Sequence, residues 1–215
     1  MRRVMFAMGS ALLVTVLVAP SAGAAPAPAP AGTIGCGLTG KVSFSRPMLN
    51  AELDPKPGRT TVRITAQMTN CNASGVTGGR TRITGGTLTA SGFVEEAGCA
   101  DLDGGYPPDF TFDTNRFSAR WTGAAPSGRG VTTVGQSRTV MSYADTLFGG
   151  WLYETDLFGD KDAFAGEYAS LKLYLDEPAM VDACARGETG LDGKPVNLPS
   201  ASFSAERGAR IVVQP

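Results

Sequence analysis

From Thr60 to Thr69 polar and apolar residues alternate without a break: Val62, Ile64, Ala66 and Met68 against Arg63, Thr65, Gln67 and Thr69. A period of two sends successive side chains to opposite faces, so this run predicts a strand with one buried and one wetted face. Cys71 ends it, the turn-rich NASGVTGG (residues 72–79) follows, and RTRITGGTLTASGFV leads on to Cys99. Ile83 and Leu88 cannot share a face under simple alternation, and Gly85-Gly86 between them marks the place for a register-correcting bulge. The expectation is two antiparallel strands tied near their ends by a Cys71–Cys99 bridge, with the rest of the chain stacked around them.

The same reading extends along the chain. Leu38–Arg46 is a first strand with Val42 and Phe44 on one face. Asn115–Trp121 brings Phe117, Ala119 and Trp121 together, and Val131–Tyr143 is a further strand or pair. Thr146–Gly159 interleaves Phe148, Trp151, Tyr153 and Phe158 with acids. In Ala163–Leu175 the composition favours helix, but Ala169, Leu171, Leu173 and Leu175 alternate with Tyr168, Ser170, Lys172 and Tyr174, which predicts a strand. Residues 183–195 read as loop, and Ala201–Val213 as a closing hairpin that turns at Glu206-Arg207-Gly208. Seven to nine short strands separated by Gly, Pro, Asn and Asp, with no helix in the mature chain, predict an all-β antiparallel sandwich of immunoglobulin-like architecture. An up-and-down barrel is the alternative.

The N-terminus reads as an address. Arg2-Arg3 precede a nearly unbroken apolar run from Val4 to Val18, and Ala22-Gly23-Ala24 has the small-x-small form of a cleavage site. Residues 1–24 are therefore expected to be a secretory signal peptide, the run being shorter than the ~20 residues of a spanning helix. Residues 25–35, opening with an Ala-Pro tract, read as an extended linker, and residues 36–215 as one domain. The expected location is extracellular.

In an exported chain, the cysteines at 36, 71, 99 and 184 predict two disulfides rather than thiol chemistry. Three pairings are open, and Cys71–Cys99 with Cys36–Cys184 is favoured. The whole chain has 19 basic and 20 acidic residues. Loss of the leader leaves the mature protein about three charges acidic, which argues against nucleic acid as a partner.

The order CGLTGKVSF at Cys36–Phe44, Thr69-Asn70-Cys71 before a Thr/Gly-rich strand that ends at Cys99, and FAGEYASLKL at Phe164–Leu173 resembles a family of secreted actinobacterial Thr/Gly-rich proteins. That resemblance implies an extracytoplasmic β-sandwich without an assigned activity, and it carries over no catalytic residue.

The chain has no histidine, which removes Ser-His-Asp and Cys-His catalysis and His-ligated zinc. Neither G-x-S-x-G nor S-x-x-K occurs. Carboxylate pairs, Glu154 with Asp156 or Glu95 with Glu96, are the enzymatic route that remains, in the manner of a glycoside hydrolase. Asp101 and Asp103, and Asp160 and Asp162, put hard oxygen ligands on loops as a Ca²⁺ site would, without the full EF-hand pattern. No other cofactor is expected. Trp151 and Tyr153 beside Glu154 and Asp156 could stack on a sugar ring while the carboxylates accept hydroxyl protons. The expected function is a non-catalytic module that binds a cell-wall glycan or another envelope protein. A structural or adhesive envelope protein that associates through a sheet edge is the alternative, and a carboxylate-pair hydrolase is the second.

Overall fold

The computed structural model describes residues 30–50, 53, 58–78, 83–94, 98–99, 110–112, 116–123, 131–135, 139–145, 150–158 and 163–215; segments 110–112, 131–135, 139–145 and 150–158 are described by their backbone pairing. Among the described residues eleven strands form one antiparallel sheet: β1 (Ala31–Met48), β2 (Thr60–Thr77), β3 (Gly85–Val94), β4 (Phe110–Phe112), β5 (Arg116–Thr122), β6 (Val131–Gly135), β7 (Thr139–Asp145), β8 (Gly150–Phe158), β9 (Tyr168–Tyr174), β10 (Leu198–Phe203) and β11 (Arg210–Gln214). The all-β, disulfide-bearing architecture is the one that the alternation requires. The strands outnumber the expected seven to nine because β4, β7 and β10 lie outside the main circuit.

That circuit is closed. Following hydrogen-bonded neighbours from β1 through β2, β3, β5, β6, β8, β9 and β11 returns to β1, because β8 pairs with both β6 and β9. This is the pairing of the up-and-down barrel, in which the strands of the circuit leave no open edge. The register climbs around the ring. β6 meets β8 at Phe158 and Leu157, whereas β9 meets it from Gly150 to Asp156, a stagger that strands tilted to a barrel axis must have.

Directly paired residues share a face, so register carries the apolar set around the wall. Val42, Ile64 and Ala90 lie in one row; Ala66, Leu88 and Ala119 lie in the next. Together with Ile211, Val213, Leu171, Leu173 and Phe203 they form one buried cluster. Trp121 and Phe164 are both fully buried in it and meet edge-on, with ring centroids 5.2 Å apart. The turn that carries Phe164 holds down the start of β1: the Phe164 amide donates to the Pro30 carbonyl at 2.7 Å, and Gly32 donates to a carboxylate oxygen of buried Glu167.

Several sequence expectations need correction. β1 begins at Ala31 rather than Leu38, so residues 31–35 belong to the wall and not to a linker. β3 runs against β2 without any register shift, so Gly85-Gly86 is no bulge. The two glycines instead allow close approach: a β-carbon on Gly86 would overlap the Arg120 carbonyl, and one on Gly85 the Met68 carbonyl. Ile83 lies before the strand and escapes its alternation. The C-terminal segment is not a hairpin, since β10 and β11 run in the same direction along the same side of β1 with a short 3-10 turn, Ala205–Arg207, between them. A helix, α1 (Pro178–Ala185), is also present. Proline at its first turn and Val181, Cys184 and Ala185 on its buried side explain it, but eight residues are too short to display a helical period.

The disulfides are Cys36–Cys71 and Cys99–Cys184, not the expected Cys71–Cys99 and Cys36–Cys184. In a β2–β3 hairpin, Val94 lies opposite Thr60, so Cys99 emerges at the beginning of β2. Cys71 lies far along that strand, over 30 Å away at about 3.3 Å per residue, beyond the reach of a bridge. Cys71 meets Cys36 through a bulge. The β1–β2 register shifts between Gly35 and Gly37, where Asn70 takes a left-handed conformation at φ 50°. One extra residue flips the parity of β2, turning odd-numbered Cys71 toward the face of even-numbered Cys36. The second bridge ties α1 to the chain beyond β3, beside β1, where the Cys99 amide donates to the Leu49 carbonyl at 2.8 Å.

Non-reducing peptide mapping will recover Cys36–Cys71 and Cys99–Cys184 peptides, and a Cys71–Cys99 peptide would contradict the hairpin geometry. On the chain-entropy estimate the bridges are worth about 4 and about 4.5 kcal/mol, so Cys99→Ser with Cys184→Ser will lower the melting temperature steeply. Gly40→Ala will cost about 1–3 kcal/mol in chemical denaturation, because its β-carbon would overlap the Thr65 carbonyl across β1–β2; unchanged stability would show that these strands are not so closely paired.

Candidate functional site

The residues singled out from sequence do not converge. Trp151 takes the register position opposite Leu173, and Tyr153 that opposite Leu171. Leu171 and Leu173 are fully buried, so the two aromatics occupy positions on the core-bearing face of the sheet. Glu154 lies opposite Ser170 and Asp156 opposite Tyr168, on the alternate face. Strand parity thus divides the four-residue platform that the sequence suggested into two sets. Glu154 and Asp156 share a face, as any residues two apart on a strand do, so that placement alone does not single out a catalytic pair. Asp101, Asp103, Asp160, Asp162, Glu95 and Glu96 lie outside the described residues. Among the described residues no cluster of metal-ligating side chains occurs.

A different feature emerges on the outer face of the barrel. Across β1, β2, β3 and β5, register lines up three rows of outward positions. The first is Ser43, Arg63, Ser91 and Arg116; the second Lys41, Thr65, Thr89 and Ser118; the third Thr39, Gln67, Thr87 and Arg120. These rows contain hydroxyls, one amide and four cations, and neither a carboxylate nor an apolar side chain. The four cations are exposed.

A concavity of about 430 Å³ runs over this face, with Thr39, Lys41, Thr65, Gln67, Thr87 and Thr89 around it. Its floor is the backbone at Gly40, Ala66 and Leu88. The closeness of Gly40 to Thr65 draws β1 and β2 together there. A second hollow of about 210 Å³ lies at the edge of the same face, bounded by Thr61, Ser91, Phe93 and Arg116. The Arg59 guanidinium sits 3.3 Å over the Phe93 ring, a cation–π contact at its rim.

The charges on the wall are not those of the chain as a whole. β1, β2, β3, β5, β6, β9, β10 and β11 hold no carboxylate. Within the circuit, acids occur on β8 alone, as Glu154 and Asp156. The other described acids, apart from Asp145 at the end of β7 and buried Glu167, fall in α1 and the segments around it or in the turn before β11; near α1 Arg186 pairs with Glu188 at 2.8 Å and Lys194 with Asp192 at 3.9 Å. Among the described residues, Lys41, Arg63, Arg116 and Arg120 make no ion pair.

Sequence reasoning treated these cations only as the polar half of an alternation. The signal for them was present, since the wet positions of β1, β2 and β5 carry Lys and Arg but never Asp or Glu. Assembling them into one surface requires the pairing register.

Among the described residues no helix is long and apolar enough to cross a membrane, and the two disulfides are compatible with an oxidising compartment. No protein-family model matches the chain, and neither does any curated protein or any solved structure.

Proposed function

We propose that the protein is a secreted, non-catalytic module that binds a cell-wall glycan on the outer wall of its barrel. The observation that carries this reading is the concavity over Gly40, Ala66 and Leu88, bordered by Thr39, Thr65, Gln67, Thr87 and Thr89. Hydroxyls and an amide both donate and accept, which matches the mixed hydrogen-bonding demand of sugar hydroxyls. Paired strands hold the backbone of the rows in place, so little backbone freedom is lost on binding.

A non-catalytic role accords with the absence of histidine and of any serine or cysteine nucleophile motif. Secretion accords with the apolar leader of residues 4–18 and with cysteines paired as disulfides. Assembly through a sheet edge draws less support from the fold, because the circuit closes and the strands with a single partner strand, β4 and β10, are three and six residues long.

Binding of the mature protein to purified cell-wall glycan, followed by calorimetry, tests the reading. Thr65→Val with Thr89→Val will weaken binding about tenfold or more at an unchanged melting temperature, since each lost hydrogen bond is worth about 0.5–1.5 kcal/mol. Trp151→Ala will leave the affinity of the folded protein within about twofold. The reverse result, loss on Trp151→Ala with the threonine variant intact, would move the site to the aromatic segment. New reducing ends released from the glycan, and abolished by Glu154→Gln, would establish a hydrolase instead.

A further inference from the structure

We infer that the glycan taken by this wall is a polyanion, a linear polysaccharide bearing repeated carboxylate or phosphodiester charges that lies across β1, β2, β3 and β5. This rests on the reading of the wall as a glycan-binding surface and adds the chemical class of the ligand.

The argument begins with segregation. A chain with more acids than bases has placed four exposed cations, Lys41, Arg63, Arg116 and Arg120, on one face of four adjacent strands that hold no acid. Cross-strand pairs of opposite charge would stabilise such a sheet, yet here each cation faces Ser or Thr across the ladder. The wall therefore carries a local positive potential, which draws in anions and holds them beside hydroxyl donors.

Spacing then selects a polymer over a small anion. Arg63 and Arg116 stand in one row with Ser91 between them, two strand spacings or about 10 Å apart. Arg116 and Arg120 stand four residues apart on β5, about 13 Å along the strand. Backbones separated by these distances suit successive charges on one chain better than the two oxygens of one carboxylate. The arginine fork is the group that takes a carboxylate or phosphate bidentately.

The ground between the cations selects a glycan over a nucleic acid. Thr65, Thr87, Thr89, Ser91 and Gln67 fill it with hydrogen-bonding groups. Single-stranded nucleic acid is gripped by rings on which bases stack; the three rows contain no aromatic residue, and the ring at their edge, Phe93, is covered by the Arg59 guanidinium.

The test is a titration of the full mature protein with polygalacturonate, poly(glycerol phosphate), dextran and oligo(dT) over 50–200 mM NaCl. The expected result is binding to one or both anionic polymers with no measurable binding to dextran, the stronger arm identifying carboxylate or phosphodiester as the charge recognised. Four contacts predict a log–log salt slope of about −3, a loss of roughly fiftyfold across that range. Arg63→Gln with Arg116→Gln will weaken binding at least tenfold and flatten the slope by about one to two. Arg63→Lys with Arg116→Lys, which keeps the charge, will retain most of the slope and guards against a folding artefact. Arg186→Gln with Lys194→Gln, an equal loss of charge away from the wall, will leave binding unchanged.

Equal losses in the Arg186/Lys194 and Arg63/Arg116 variants would overturn the inference, because binding would then follow net charge alone. Salt-independent binding to dextran would also overturn it while leaving the glycan-binding reading intact. Tighter binding to oligo(dT) than to either anionic polymer would reassign the surface to nucleic acid. No binding to any cell-wall glycan or polymer would remove both readings together.

Discussion

The structure depends on the pairing of β8 with β6 on one side and β9 on the other. Without those ladders β6 and β9 would be the two edges of an open sheet, with rows of unpaired amides and carbonyls. With them, the circuit is complete and each strand of the ring is paired on both sides. Closure also fixes what a side chain's parity means. One face of every ring strand is inside and the other outside, so a single period-two rule sorts the apolar cluster from the hydroxyl-rich wall. The departures from that rule have local causes. The bulge at Asn70 turns Cys71 inward, and the 3-10 turn lets two short strands share one side of β1.

Much of the fold was legible because alternation is a local property. Val62, Ile64, Ala66 and Met68, then Phe117, Ala119 and Trp121, then Ala169, Leu171 and Leu173 are all read as buried from spacing alone, and all are buried. Sandwich and barrel differ in which strands meet, and no local pattern encodes that. The cysteine pairing failed for a more instructive reason. Cys71 and Cys99 each follow a strand of the same hairpin, which suggests proximity. Antiparallel strands, however, place the exit of the second beside the entrance of the first. The helix Pro178–Ala185 was lost because two turns carry too few positions to establish a period.

The candidate site was less legible than the fold. A cluster of aromatic and acidic letters at residues 151–156 draws attention in a sequence, but on a strand the parity rule separates Trp151 and Tyr153 from Glu154 and Asp156. The basic wall is the opposite case. Lys41, Arg63, Arg116 and Arg120 are scattered over 80 residues of sequence, and a net negative charge conceals them. Only register brings them into adjoining rows with the threonines between. Composition averages over the molecule, whereas a ligand meets one face of it.

The central claim is the closure, and amide hydrogen exchange across the chain measures it most directly. The account predicts that amides from Trp151 to Phe158 that donate to β9 or to β6 exchange slowly, together with those of Ala169–Leu173, of β6 and of β1, as parts of one cooperative unit. Exchange of residues 151–156 at the rate of a free loop, while β1 and β2 stay protected, would contradict it. The barrel would then be an open sheet, and the division between inner and outer faces would have to be drawn again.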